Sequence, residues 1–356
     1  MEIYISALLI SLVFAFLAIT AKRVEGNVGN AKIINTIVYK FLAVCSFLPL
    51  FLVSAVRYGL GTDYFYRYVP GFLSVESGHN GGYEIGFYLI NKIVAICTSN
   101  YQWLFVLTSV LICGFIYLAI YEQSEYILLS IILFVITTTY FISMNVVRQS
   151  VAVAIFLYAL KYAINRDIKK YFIFILIAAL IHMSAFIYFP IYFLFNKKIK
   201  THIIVSIISI LCMPFIYDIF IYILSFTKYI GYFHTAFNKG VFDYWSFIIN
   251  LGILLFGYAF YKKLKNDRKY MVMLNLQFIT VELLLFSAVI PLISRAILCF
   301  TFTQILFIPF LLSKIESKMI RNLLKLVVVG LYGFYLIHTI VIKGYQQVLP
   351  YHSIFG

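Results

Sequence analysis

The chain has 356 residues, 63% of them hydrophobic and 12% charged, and a mean hydropathy of +0.98. Those values exclude a soluble globule, and apolar runs of about 20 residues, each able to cross a hydrocarbon core as a helix, recur along the whole length. The net charge of +15 does not point to nucleic acid, because Lys and Arg sit in short clusters between apolar runs, as the positive-inside rule dictates.

In chain order, the first helix is expected over residues 3–21. Lys22 and Arg23 follow it rather than precede it, which favours a retained helix with an outer N-terminus over a cleaved signal peptide. A second helix over 34–56 makes the loop 57–83 an outer one, polar, glycine-rich and long enough to carry function. Residues 84–98 are too short for a crossing and carry Asn91 and Lys92, as a helix lying on the outer interface would. Crossings at 101–120, 126–147 and 149–164 then put Arg148 at an outer hairpin. The segment 171–195 is basic on both flanks. It either crosses or dips into the membrane and turns back near His182, and irregular backbone of that kind is tolerated only where it lines a cavity. Helices over 203–225, 245–261, 271–290, 296–313 and 323–342 complete the series, with an outer loop at 226–244, a strongly basic inner stretch at 262–269 and an outer turn at Pro291 and Arg295. The expected fold class is thus all-α, a polytopic helical membrane protein of about ten crossings plus an interfacial helix and a possible re-entrant segment, in one integral-membrane domain over 1–356. Cys45, Cys97, Cys113, Cys212 and Cys299 all lie in apolar stretches and read as small hydrophobes, not as a disulfide framework or a metal site.

Once most basic residues are assigned to the inner face, Arg57, Arg148 and Arg295 stand apart, each at the end of an apolar segment on the opposite side. A planar guanidinium fork at a membrane boundary suits a phosphate, and three together point to a shared anion, with snorkelling along lipid as the plain alternative. In the stretch Arg57-Tyr58-Gly59-Leu60-Gly61-Thr62-Asp63-Tyr64 the glycines allow a sharp turn and Asp63 can accept a proton or, alternatively, hold an Asx-type turn. His182 reads as a base or as a satisfied interior histidine. Glu84 is a candidate acid/base or a carboxylate favoured by a helix N-terminus, and the intramembrane Glu282 a candidate acid/base or a structural partner. The outer tyrosines, among them Tyr66, Tyr68, Tyr83, Tyr229 and Tyr232, form an aromatic belt in which a few rings can stack on sugars.

Arg57 with Gly61-Thr62-Asp63-Tyr64, Tyr83-Glu84-Ile85-Gly86-Phe87, Asn145-Val146-Val147-Arg148-Gln149-Ser150-Val151-Ala152, Ile181-His182-Met183-Ser184-Ala185 and Leu349-Pro350-Tyr351, in that order, resemble the EpsG-type Wzy polysaccharide polymerases. The resemblance implies a multi-pass enzyme of the bacterial inner (plasma) membrane. It would act on the extracytoplasmic face and transfer a growing glycan from undecaprenyl pyrophosphate onto the non-reducing end of a new lipid-linked repeat unit, in capsule, exopolysaccharide or O-antigen synthesis. It implies a lipid-linked oligosaccharide substrate, a chain-length regulator and a flippase as membrane partners, and no cofactor. Within it, Arg148 and Arg295 take the donor pyrophosphate and Arg57 either pyrophosphate or loop positioning. Asp63 is the first candidate for the base and His182 the second, followed by Glu84 and Glu282. Gly61, Thr62, Tyr64, Gln149 and Tyr351 position the loop or the substrate. A pyrophosphate neutralised by arginines needs no metal. A flippase or transporter of lipid-linked oligosaccharide, a membrane O-acyltransferase and a glycan ligase are the rival readings.

Overall fold

The structure, a computed structural model, describes residues 1–23, 29–196, 199–226, 242–290 and 293–356. Most of the expected outer loop, with Tyr229 and Tyr232, lies outside the described residues, as does Pro291. Among the described residues the secondary structure is helical apart from one isolated β-bridge between Arg57 and Ser353. Among the described residues seven helices are long and apolar enough to cross a membrane, or nine when two bent pairs each count as one span, against the ten or so expected from sequence. The protein is a polytopic, all-α membrane protein. The integral-membrane chain is built as two compact units, one comprising Met1–Phe186 and Leu312–Gly356, the other Ile187–Leu311.

The first unit begins with α1 (Glu2–Arg23) packed on α2 (Gly29–Ala55). Small residues on α1, Ala7, Ser11, Ala15 and Ala18, are buried, which lets backbones approach where lipid supplies no hydrophobic drive for helix association. Ser11 Oγ donates to Ser46 O on α2 at 2.6 Å and meets the Tyr117 hydroxyl of α5 (Gln102–Gln123) at 2.5 Å. Interhelical bonds of this kind contribute about 0.6 kcal/mol each. Helix α3 (Val69–Glu76) and the short α4 (Ile85–Cys97) lie between α2 and α5 in sequence. At 13 residues α4 is too short to span. It turns Ile85, Leu89, Ile93 and Ile96 outward and buries Phe87, Asn91 and Val94, as an apolar helix lying against lipid with one face on the protein would do.

The expected crossing at 126–147 is a bent pair, α6 (Ile127–Ile136) and α7 (Thr139–Asn145), with 53° between them. Thr138 sits at φ 67 in the bend. At the break Thr138 N turns to Val135 O, and Thr139 Oγ1 donates to Phe134 O at 2.8 Å; Thr137 Oγ1 adds a bond at 2.6 Å to Leu133 O, which also accepts from Thr137 N. Next, α8 (Val147–Ile164) is buried over most of its length, the mark of a central helix, and it packs against α5 and α9 (Ile168–Ile181). Asp167 caps α9 by accepting from Lys170 N at 3.1 Å. The α-helix stops at His182, whose backbone is extended, and the chain continues as a 3-10 segment, Met183–Asn196. The irregular backbone expected near His182 is therefore a change of helix type at that residue.

The second unit holds α10 (Ile199–Ser225), α11 (Tyr244–Ala259), α12 (Tyr261–Leu264), α13 (Arg268–Leu285), α14 (Ser294–Thr301) and most of α15 (Gln304–Ser313). At 16 residues α11 falls below the length for a full crossing. Amide side chains tie α11, α13 and α15 together: Gln277 Nε2 donates to Asn250 O at 2.9 Å and Gln304 Nε2 to Gln277 Oε1 at 2.9 Å. The long α16 (Lys318–Leu336) returns the chain to the first unit, and residues 345–356 follow it.

Candidate active site

The turn between α3 and α4 is made by Gly78, Gly81 and Gly82, all at positive φ (92°, 66° and 67°), where an L side chain is strained. It delivers Tyr83 into the first unit. A Cβ on Gly71 would stand 1.9 Å from the Tyr83 hydroxyl, so the absence of a side chain there is what admits the ring. The hydroxyl donates to Arg67 O at 2.9 Å, and burial pushes its pKa up to about 12. Two guanidinium groups lie against the ring, Arg67 at 5.0 Å and Arg148 at 5.2 Å from its centroid. Arg67 also donates to Gly82 O at 2.6 Å.

Glu84, the next residue, stands at the N-cap of α4 but makes no capping hydrogen bond. Its carboxylate joins two groups that are distant in sequence. Arg148 Nη1 donates to Oε2 at 2.7 Å, and His182 Nδ1 lies 3.1 Å from Oε1. Burial alone would raise the Glu84 pKa, but the hydrogen bond from His182 and the charge of Arg148 outweigh it and bring it down to about 2. The three side chains are 17–19% exposed, so the cluster is desolvated yet reachable. A carboxylate on Nδ1 holds the imidazole proton there and leaves Nε2 as the lone-pair face. The close approach depends on Gly86, where a Cβ would lie 2.7 Å from the Leu180 carbonyl carbon and oxygen at the end of α9. Arg148 enters from the first turn of α8, with its backbone N–H on the Tyr68 hydroxyl at 3.4 Å.

Asp63 and Thr62 are held beside the start of α8 by one amide. Asn145 Oδ1 accepts from Asp63 N at 2.9 Å and from Thr62 Oγ1 at 3.2 Å, and Asn145 Nδ2 donates to Gln346 Oε1 at 2.7 Å. Gly61, at φ 86°, passes so close that a Cβ there would meet Asn145 Oδ1 at 3.0 Å. The Asp63 carboxylate lies near enough to Tyr83 to oppose its ionisation.

Four expected site residues are buried or hold backbone and side-chain partners within the first unit. Arg57 is 1% exposed. Its guanidinium donates to Ser54 O, to Ser54 Oγ and Ser109 Oγ at 3.2 Å each and to Met144 O at 3.2 Å, over the Phe105 face at 4.9 Å. It fastens the ends of α2 and α7 to the second turn of α5. Tyr64 is buried, stacked on Phe105 at 4.1 Å with its hydroxyl on Gln102 Oε1 at 2.8 Å. Tyr351 spends its hydroxyl on Val53 O at 2.9 Å, and Gln149 is 1% exposed inside α8. Glu282 and Arg295 belong to the second unit. Glu282 is buried in α13 and accepts from Ser206 Oγ at 2.5 Å, while Arg295 is exposed in the first turn of α14. Sequence reasoning gave no role to Arg67, Gly86 or Asn145 and read Tyr83 only as one ring of an aromatic belt. The runs Gly81-Gly82-Tyr83-Glu84 and Asn145-Val146-Val147-Arg148, a glycine pair and an amide each just ahead of a charged candidate, were the available signals.

A family model describing the EpsG family matches residues 40–353, a stretch that contains every residue of this cluster. The chain belongs to the EpsG family. Membership makes it a polysaccharide-polymerase-type membrane protein of a glycosyltransferase-like family. No curated protein and no solved structure matches the chain.

Proposed function

We propose that this EpsG-family protein is an extracytoplasmic-face polymerase of a bacterial inner membrane, transferring a growing glycan from undecaprenyl pyrophosphate to the non-reducing end of a new lipid-linked repeat unit. The observation that carries the reading is the single carboxylate of Glu84 engaging both the Arg148 guanidinium and His182 Nδ1. That grouping supplies the two things the transfer needs, a fixed base and a fixed cation.

In this reading the acceptor hydroxyl oxygen forms the new bond to the anomeric carbon of the donor sugar, and its proton passes to His182 Nε2. The bond from that carbon to the phosphate oxygen breaks, and the lipid diphosphate leaves with the electron pair. Arg148 offsets the charge that grows on the leaving oxygen, a contribution of about 3–4 kcal/mol for a preorganised donor. Glu84 keeps the imidazole in the required tautomer and orientation and stabilises the imidazolium formed, while a positioned base adds about 10²–10⁴ in rate. Asp63, held next to the site by Asn145, is the second choice for the base.

The test is purified full-length protein in detergent with synthetic lipid-linked repeat units, read by product size. Lengthened products in the absence of any second compartment favour polymerisation over flipping. Acylated but unextended glycan would show the reading to be wrong. Ser77, exposed at the end of α3, gives the sidedness: Ser77→Cys in intact cells should react with an impermeant maleimide.

A further inference from the structure

At the Tyr83 platform one of the two cations has no carboxylate at ion-pair distance among the described residues. Arg148 is matched by Glu84 at 2.7 Å, and Glu84 has its other oxygen on His182. The Arg67 guanidinium, which shares the same ring, donates to a neutral carbonyl, Gly82 O. No carboxylate pairs with it among the described residues. Its fork has five N–H donors, of which one is used, so Nη1 and Nε stay available alongside Nη2 and Nε of Arg148. Stacking on a fixed ring preorganises both guanidinium groups, which lie 5.0 and 5.2 Å from one centroid. The ring itself is fixed by the hydroxyl bond to Arg67 O and by the missing side chains of Gly71 and Gly81, and the Arg67 guanidinium lies 3.4 Å from where a Gly82 Cβ would stand. Four residues therefore build the position of Arg67, which makes it more than a stray surface charge.

Resting on the polymerase reading, we infer that Arg67 and Arg148 together form the diphosphate cradle of the lipid-linked donor. Arg148 grips the phosphate whose oxygen leaves the sugar, and Arg67 grips the phosphate attached to the lipid. A diphosphate carries more negative charge than the Glu84-matched Arg148 can offset, and Arg67 adds one further positive charge against it. The arrangement assigns Arg67 to substrate binding and makes it the determinant of diphosphate over monophosphate. The carboxylate of Asp63, also near Tyr83, sets the edge that an anion avoids.

The experiment measures binding of farnesyl diphosphate, farnesyl monophosphate and inorganic pyrophosphate to the full-length protein in detergent by calorimetry. Wild type, Arg67→Gln and Arg67→Lys are compared, because Gln keeps a donor for Gly82 O without the charge. Wild type should hold farnesyl diphosphate at least about tenfold tighter than the monophosphate, and Arg67→Gln should lose that preference with monophosphate affinity nearly unchanged. Arg67→Lys should recover part of it. A preference that survives in Arg67→Gln, or an equal loss for all three probes, overturns the assignment. Inorganic pyrophosphate binding as tightly as farnesyl diphosphate overturns its lipid-linked part. A wild-type protein that lengthens repeat units yet shows no diphosphate preference defeats this inference while leaving the polymerase reading standing, and one that lengthens nothing and binds none of the probes defeats both.

Discussion

Replacing Glu84 by Gln removes one charge and almost no volume, so it isolates what the carboxylate does for Arg148 and His182. Its drop from the ordinary 4.5 to about 2 converts to about 3 kcal/mol of preference for the ionised form in the folded protein. Solvent screening of a partly exposed group roughly halves that, so the variant should lose about 1–2 kcal/mol of stability at pH 7. Because the folded pKa is depressed, this contribution is complete above pH 4.5 and is lost as pH falls toward 2. The stability difference between wild type and variant should therefore be flat through the neutral range and close below pH 4.5. The effect on chemistry should be far larger. An amide can turn its NH₂ toward His182 and reverse the tautomer, and loss of an orienting carboxylate from a histidine base costs about 10⁴ in turnover in the best-studied case. The assay is single-turnover extension of a synthetic lipid-linked repeat unit, paired with thermal unfolding in the same detergent. A Glu84→Gln protein that melts within a degree or two of wild type and extends substrate at the wild-type rate would refute the dyad.

Arg57→Lys should fail by folding: a lysine cannot reach Ser54 O, Ser109 Oγ and Met144 O together, and about 3 kcal/mol of stability should be lost in a melt. Wild-type stability with lost activity would return Arg57 to the substrate. Gly86→Ala should push α4 off the end of α9, costing about 1–3 kcal/mol and most of the extension rate, and retention of both would show that the approach at Leu180 is not needed. Arg148→Ala should lower extension by about 10²–10³ with membrane insertion intact, and Arg148→Lys should do little better because a point charge does not replace a fork. Wild-type polymer lengths in either variant count against the anion role.

Much of the helix pattern was legible because an apolar run of sufficient length has few other fates, and α1, α5, α8 and α10 lie close to their expected places. The break between α6 and α7 was not. Its sequence is Thr137-Thr138-Thr139, without glycine or proline, and a β-branched residue at φ 67 runs against local preference. What permits it is the Thr139 hydroxyl bond to Phe134 O, which no periodicity reveals. The site was half legible for a similar reason. Sequence marks Arg57 and Arg148 alike as boundary arginines, and nothing local separates the one buried among serine hydroxyls and carbonyls from the one turned to a carboxylate. The decision is made by partners 64 and 98 positions from Glu84 along the chain in the cluster that forms, and by the serines and carbonyl that claim Arg57. Glu84 looked like a helix-terminal carboxylate because it is one by position. Only the packing that Gly86 permits gives it other work.

The loop of Asp63 shows how a flexible stretch acquires a fixed place in such a site. Gly59 and Gly61, both at positive φ, give residues 57–63 their turn but no rigidity of their own. Rigidity comes from the segment 345–356. Tyr58 N donates to His352 O at 2.9 Å, Gly61 N to Gln347 O at 3.1 Å and Ile354 N to Val56 O at 3.0 Å, while Tyr4 OH on α1 holds Val348 O at 2.9 Å. Asn145 closes the arrangement, because the side chain that accepts from Asp63 N and Thr62 Oγ1 also donates to Gln346 and stands three positions before Arg148. One amide thus fixes the spacing between Asp63 and the first turn of α8. A shift of either the loop or the 345–356 segment must move Asp63 relative to the arginine, which is reason enough for a chemistry that depends on near-contact geometry to keep residues so far apart in sequence tied to the same side chain.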